Sequence, residues 1–448
     1  MPISFELLPS KGLGFIKIFD SLYSVVNQLN AQGIRNDIKF MYRRASRLFT
    51  VQLMSYRINL FFDSELQVLL FIELNLPQPG EPWNYDLKYE GEVAHKFEFR
   101  SIYNKIFGPT FPGHLDKVSM DYYLSYSGIC FKFKGLAKEL RSAVSQLQGD
   151  NIVDDDGSLM QILTGSTYDI NCSSICIFRG ISWRQASKTL VDILPFPRQP
   201  QIYAMKNMIQ EVEAGTNDIL ATEEIDRNGS IVIGDAICYV DERKLEISFA
   251  GHPTENSFFI SIGNTTMITV FKFLGPPDDF LVKQGSCEEG SCRKNSKIHN
   301  YFRYGLDIVY NLCRGTDSVV QKIIMHSNLV HSLEFMRYER LPFSLYRKVS
   351  SKVIHYSLTG DFTYLREQMF PENSSDHKPI LLDRKEYELN PTHFNSNNLF
   401  EFVDFVEADG TNGNSDFKKW GISKLYIIGN CIFEVLQEDD SISSVTLF

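Results

Sequence analysis

The sequence predicts an α+β fold, built mostly of antiparallel sheets with short helices packed on them. Three observations carry this. Aromatic residues make up 13% of the 448 residues, with 34 Phe and 21 Tyr, types that favour strands and bury large areas. Short runs alternate apolar and polar residues and are bounded by turn-forming types. Between these runs stand short segments with apolar residues at helical spacing, several ended by Leu-Gly or Phe-Gly before a proline.

Taken in order, Ser21 to Leu29 reads as the first helix, with Leu22, Val25, Val26 and Leu29 on one face. Ile38–Tyr42, Leu48–Met54, Ile58–Phe62 and Leu66–Leu74 read as strands. A second copy begins with a short helix, Ser101–Ile106, stopped by Phe107-Gly108-Pro109. The hairpin Asp121–Tyr126 and Gly128–Phe133 follows. In a third copy Asn264-Thr265-Thr266 caps the helix Met267–Leu274, and Gly275-Pro276-Pro277 ends it. Its strands are Phe280–Lys283, Tyr301–Tyr304, Gly305–Tyr310 and Val319–His326. A fourth copy is expected to keep only a hairpin, Asn430–Leu436 and Ile442–Phe448. A strand at Ile175–Phe178 and a helix at Trp183–Val191 lie between the second and third copies.

A helix laid on one face of a curled antiparallel sheet buries the alternating residues, and Gly-Pro fixes the turn between them. The pattern therefore reads as repeated helix-plus-hairpin units, whether by duplication or by convergence on common parts. It divides the chain into residues 1–95, an N-terminal helix-plus-sheet unit; 96–200, a second unit with a variable insertion; 201–345, a third unit; and 346–448, a variable insertion and a closing hairpin. Gly149–Gly157, Gln284–Lys297, Pro371–His377 and Glu407–Ser415 read as polar loops.

A net charge of −10 argues against broad contact with a nucleic-acid backbone, which needs a basic face. The most apolar run, Val68–Leu76, is interrupted by Glu73 and is far shorter than the roughly 20 residues of a membrane span. No secretory or lipidation signal is read, so the eight cysteines are expected to be reduced thiols in a cytoplasmic protein.

Motifs that carry chemistry are scarce. Gly-x-Ser-x-Gly and the Gly-rich phosphate loop are both missing. Asp154-Asp155-Asp156-Gly157 has the middle of a calcium loop but Ile152 where its first carboxylate belongs. Cys287 and Cys292, with His299 or with Cys172 and Cys176, make a zinc site conceivable at nonstandard spacing; free thiols are the simpler reading. No cofactor and no metal are expected. Arg43, Arg44 and Arg47 cluster between the first two strands, where guanidinium groups suit a phosphoinositide headgroup. A solvated basic loop gives the same pattern.

Several segments in order resemble the phagosome assembly factor family. Leu7-Leu8-Pro9-Ser10-Lys11-Gly12-Leu13-Gly14 is similar to the family's opening. Phe107-Gly108-Pro109-Thr110-Phe111-Pro112-Gly113 is similar to its Phe-Gly-x-Thr-x-Pro-Gly element, and Leu274-Gly275-Pro276-Pro277 to its helix stop. Asn300-Tyr301-Phe302-Arg303-Tyr304-Gly305-Leu306-Asp307-Ile308, the strand ending Met325-His326-Ser327-Asn328, and the closing Ile432–Leu436 and Ser443–Leu447 also resemble it. Their collinearity, rather than any single motif, carries the likeness. Leu329-Val330-His331 departs from the Pro-Gly-His of the family, and residues 136–198 and 349–414 match poorly.

The resemblance implies a non-enzymatic adaptor that pairs with a WD40-type β-propeller protein. It also implies recruitment from the cytoplasm to autophagic, phagosomal or endolysosomal membranes, with phosphoinositide contact mainly through the partner. It assigns structural roles to Phe107, Gly108, Thr110, Pro112, Gly113, Gly275, Gly305, His326 and Asn328. A lipid-binding or hydrolytic protein with a pocket inside the antiparallel sheet is the alternative.

Overall fold

The computed structural model describes residues 3–34, 38–42, 48–134, 163, 170–192, 233–249, 257–283, 295–312, 318–349, 352–357, 361–373, 378–383, 404–407 and 422–448, apart from positions 79, 95, 111–112, 117–118, 120, 331, 333–334 and 438–439. The chain divides into two compact units, Met1–Phe196 with Phe400–Gly413, and Pro197–Leu399 with Asn414–Phe448.

Each unit holds two modules of one plan: two or three strands, a helix, then four antiparallel strands. The first module comprises β1 (Ser4–Leu8), β2 (Gly12–Leu13), β3 (Ile16–Lys17), helix α1 (Leu22–Ala31), β4 (Ile38–Tyr42), β5 (Leu48–Leu53), β6 (Ile58–Asp63) and β7 (Leu69–Asn75). The second has β8 (Asp86–Tyr89) and β9 (Glu92–Val93). Its helix α2 (Phe99–Ser101) runs on as a π-turn over Ile102–Ile106. Then come β10 (His114–Asp116), β11 (Asp121–Tyr126), β12 (Ile129–Phe133) and β13 (Ser174–Phe178), and α3 (Trp183–Asp192) follows.

The third module comprises β14 (Ile233–Tyr239), β15 (Lys244–Phe249), β16 (Phe258–Ser261), α4 (Met267–Leu274), β17 (Asp279–Lys283), β18 (Asn295–Tyr301), β19 (Leu306–Leu312) and β20 (Val320–His326). The fourth has β21 (Phe343–Val349), β22 (Lys352–Ser357), α5 (Phe362–Met369) and β23 (Ile380–Asp383). The chain then contributes β24 (Asp404–Glu407) to the first unit before completing the fourth module with β25 (Ile422–Ile428), β26 (Cys431–Leu436) and β27 (Ile442–Leu447).

The two units join their modules in the same way. Last strands pair antiparallel, β7 with β13 and β20 with β27. First strands pair parallel, β1 with β8 and β14 with β21. The large sheet of the first unit runs β10-β11-β12-β13-β7-β6-β5-β4-β24, and that of the second β17-β18-β19-β20-β27-β26-β25-β23. The first of the four strands in every module therefore stands at the end of its modules' pairing, and in the first module β24 is added beyond it.

Local chemistry sets the elements. Ser21 caps α1 by accepting from the Ser24 amide, and the helix buries Leu22, Val25, Val26 and Leu29. Thr266 caps α4 through the Thr269 amide, and Asp361 caps α5 through that of Thr363. In the second unit one core unites the small sheet (Cys238, Leu245, Phe343), both helices (Val270, Leu274, Phe362, Leu365) and the large sheet (Ile308, Met325, Phe433, Val445). Each fully buried side chain of this size contributes about 1.5–3 kcal/mol.

Three expectations change. The fourth copy is a full module, not a hairpin: Asp361 caps a helix whose Phe362, Leu365 and Met369 are buried. Tyr301–Tyr304 is not a strand. The Arg303 guanidinium donates to the Leu274 and Pro276 carbonyls and pairs with Asp278, which draws Phe302–Tyr304 into a 3-10 turn after β18. The strand expected from Leu66 begins at Leu69, because the Asp63 carboxylate accepts from the amides of Glu65 and Leu66 and holds them in a turn.

Candidate functional site

The most connected buried polar cluster lies in the second unit, on the face of its large sheet opposite the core. Alternation along β18 and β19 sends His299, Tyr301, Leu306, Ile308 and Tyr310 to the core face and leaves Asn300 and Asp307 on the other. Asn300 and Asp307 face each other in register. The Asn300 amide nitrogen lies 2.8 Å from Asp307 Oδ1, His326 Nε2 lies 3.0 Å from Oδ2, and the Tyr338 hydroxyl donates to both oxygens at 3.0 and 2.9 Å. The Tyr338 ring stacks on the His326 ring at 3.9 Å. Asp307 and His326 are 6% and 4% exposed, and Tyr338 2%, so these three are shut off from solvent while Asn300 stands half-buried at their edge.

The segment carrying Tyr338 is held by backbone geometry that sequence fixes. Gly305 enters β19 at φ +68°, and a Cβ there would stand 2.4 Å from the Glu339 carbonyl oxygen. That closeness lets the segment cross over the turn. The His326 amide donates to the Gly305 carbonyl, and the Leu341 amide to the His326 carbonyl. Asn328 sits at φ +49°, and its side-chain oxygen accepts from the Met336 amide at 2.7 Å. His326 and Asn328 are thus placed within one clasp, with Gly305 beneath it.

The polar face continues across the sheet. Ser444 stands opposite His326 in register, and Glu434 accepts from the hydroxyls of Ser444 and Ser423 at 3.0 and 2.8 Å. The same face of the first unit is different. There Phe71, Cys130, Cys176 and Phe178 form an apolar cluster covered by Trp183 and Ala186 of α3.

The other sequence-predicted residues fall at turns. Phe107 packs its ring against Tyr89, Tyr126 and Phe131, with centroids 4.4, 5.2 and 5.0 Å away. Gly108 lies at φ +79° and its carbonyl accepts from the Tyr126 hydroxyl at 2.7 Å. Thr110 donates to the Ser125 carbonyl. Gly113 leaves no room for a side chain: a Cβ would lie 2.5 Å from the Tyr122 ring. Gly275 ends α4 at φ +72°. These residues shape the backbone turns and the packing around them. Pro112, Arg43, Arg44, Arg47, Cys287 and Cys292 lie outside the described residues.

Cys172 and Cys176 are fully buried thiols whose pKa is pushed up by burial, and Cys172 donates to the carbonyls of Lys132 and Ser174. Among the described residues no three His, Cys, Asp or Glu side chains gather as metal ligands. His299, named with the cysteines as a conceivable ligand, lies in the core 4.9 Å from the Tyr310 ring. No described helix is long and apolar enough to cross a membrane.

A model of the phagosome assembly factor 1 family matches residues 14–448. The chain belongs to that family. Searches of curated proteins and of solved structures each returned no significant match. The family match runs through both units and all four modules, including the stretches 136–198 and 349–414 whose motifs alone resembled it poorly. Sequence reasoning singled out His326 and Asn328 but missed Asp307 and Tyr338. Asp307 stood within a quoted motif, a carboxylate in an otherwise apolar strand. Tyr338 lies in an aperiodic stretch that carried no signal.

Proposed function

We infer from membership of the phagosome assembly factor 1 family that the chain has a role in phagosome and autophagosome assembly. We propose that the chain performs it as a non-enzymatic adaptor, pairing with a WD40-type β-propeller protein. The propeller supplies most of the affinity for phosphoinositide-containing membranes, and the chain moves between the cytoplasm and those membranes. The family match over nearly the whole chain carries this reading.

Physical chemistry supports it in two ways. The buried His326–Asp307–Tyr338 cluster is saturated with internal bonds and closed to a substrate, which suits a structural clasp rather than acid–base work. A net charge of −10 opposes an anionic surface, and each basic residue near a membrane contributes only about 1 kcal/mol. Flotation with phosphoinositide vesicles tests the division of labour. The purified chain alone should float weakly, and the chain with a co-expressed propeller strongly. Strong flotation of the chain alone, lost in Arg43→Ala/Arg44→Ala/Arg47→Ala, would refute it.

A further inference from the structure

Helix α4 differs from its counterparts. In α1 and α5 the apolar residues point inward and most outward positions are polar, as burial of one face requires. In α4 the sequence Met-Ile-Thr-Val-Phe-Lys-Phe-Leu is apolar nearly all round. Val270 and Leu274 are buried, whereas Ile268, Phe271 and Phe273 are 60%, 48% and 45% exposed. The strand that follows, β17, is exposed at all five residues, including Phe280, Leu281 and Val282, and it ends the eight-stranded sheet. An apolar strand edge whose outer side pairs with no strand among the described residues is a surface that soluble proteins ordinarily blunt.

The chain shows what such a position accepts. β4 stands in the first module where β17 stands in the third, as the first of four antiparallel strands. Along β4 runs the added strand β24, parallel, with Asp404 opposite Lys39. The sequence around β24, Phe400-Glu401-Phe402-Val403-Asp404-Phe405-Val406-Glu407-Ala408-Asp409, holds only apolar and acidic residues, with an acidic residue every third position from Glu401 to Glu407. Charge at β17 complements the same chemistry. Lys283 is the last residue of the strand, Lys272 lies in the last turn of α4, and the Lys297 ammonium of the neighbouring β18 lies 4.6 Å from the Phe280 ring centroid. Asp279 is the acidic residue of the strand itself, and Asp278 is paired with Arg303. In an acidic chain this is a basic, apolar locality.

We propose that the edge of β17, with the outward face of α4, receives an extended segment of a partner protein, built of apolar residues interspersed with acidic ones, as an added strand. The bonds of Arg303 to the Leu274 and Pro276 carbonyls fix the turn between α4 and β17, so the receiving surface is already ordered and little entropy is lost on docking. A lipid surface fits less well. Hydrocarbon would cover the aromatics but leave the backbone groups of the strand edge without hydrogen-bond partners. Loss of the propeller pairing would leave this edge and its chemistry unchanged.

The test uses the full-length chain and a synthetic peptide with the sequence of residues 400–409, followed by fluorescence anisotropy. Saturable binding is expected. It should weaken at least tenfold in Phe271→Glu and in Leu281→Glu, both exposed and tolerant of a polar side chain, and stay within twofold in Leu381→Glu at the other end of the sheet. A peptide N-methylated at alternate residues should lose at least tenfold, because backbone pairing is removed while the side chains remain. Four results would each overturn the assignment: no binding up to millimolar peptide, equal binding by the α4 and β17 variants, unchanged binding of the N-methylated peptide, or a loss in those variants confined to anionic vesicles.

Discussion

His299 makes the second unit sensitive to acid. Both ring nitrogens are buried without a hydrogen-bond partner, and the ring lies among the aromatic rings of Tyr301 and Tyr310. Burial lowers its pKa from 6.5 to about 4, and the Lys297 ammonium two residues away on the same strand acts in the same direction. A base whose pKa is depressed by folding binds its proton more readily when unfolded. The unfolded chain is therefore favoured as pH falls from 6.5 towards 4, and the loss is complete below the folded value. A difference of roughly 2.5 in pKa, at about 1.4 kcal/mol per pH unit, amounts to about 3 kcal/mol. Two-state melting is not expected of a chain with two units, so amide hydrogen exchange along β18 and β19 is the suitable reading. The wild-type chain should lose about 3 kcal/mol more protection between pH 7 and pH 4 than His299→Leu, which removes the titrating ring and its unpaired nitrogens. Carboxylates elsewhere contribute equally to both proteins, so the difference isolates His299. Parallel pH profiles would show that the imidazole is hydrated or paired in solution.

Alanine at the motif glycines should rank by space as well as by φ. Gly108→Ala, at φ +79° in open surroundings, should cost about 1 kcal/mol, and Gly305→Ala, which meets the Glu339 carbonyl, on the order of 3 kcal/mol by hydrogen exchange in the module concerned. Tyr338→Phe removes the hydroxyl that donates to both Asp307 oxygens. It should cost about 1–3 kcal/mol and speed proteolysis between residues 327 and 341, with β25–β26 protection unchanged. Trp183→Ala uncovers the apolar cluster of the first unit. It should cost about 3 kcal/mol and raise the labelling rates of Cys130 and Cys176, whose thiols are shielded in the native protein.

In the first module the short β1, β2 and β3 were not read as strands, whereas β4, β5 and β6 were legible almost to the residue, because β5 and β6 bury every second side chain and the alternation is visible in the sequence. So were the capped helices α1 and α4. The fourth module was less legible for a physical reason. Its strand β22 faces solvent over much of its length, and β21 buries three consecutive residues at its start, so neither shows a clean alternation. Yet Asp361 before Phe362, Leu365 and Met369 is a cap followed by helical spacing, and that signal was present. The clasp was half legible. A glycine forced by crossing backbone and an asparagine in the left-handed region leave residue types that stand out, whereas the tyrosine that closes the clasp could sit anywhere in a loop.

Exposure of β17 had no sequence signal, since Phe280-Leu281-Val282 reads the same in a central strand and at an edge. Topology decides between them. Each unit joins its modules through the last of their four strands, and this leaves the first strand of each at an end of the sheet. Four modules thus create four such ends, and only one of them, β4, carries an added strand among the described residues. Copying the plan copies the edge along with the core, and an edge must then be paired, charged or kept for a partner. β10 is half-buried and only three residues long, so it offers little backbone to extend. β23 exposes Ile380 and Leu381, but the helix of its module is polar outward apart from Tyr364. At β17 alone the exposed strand and an exposed aromatic helix belong to one module. Polar residues at Phe271 and Leu281 would serve the fold as well, as they do on the outward face of α1, and the apolar ones there are the observation on which the proposed added strand rests.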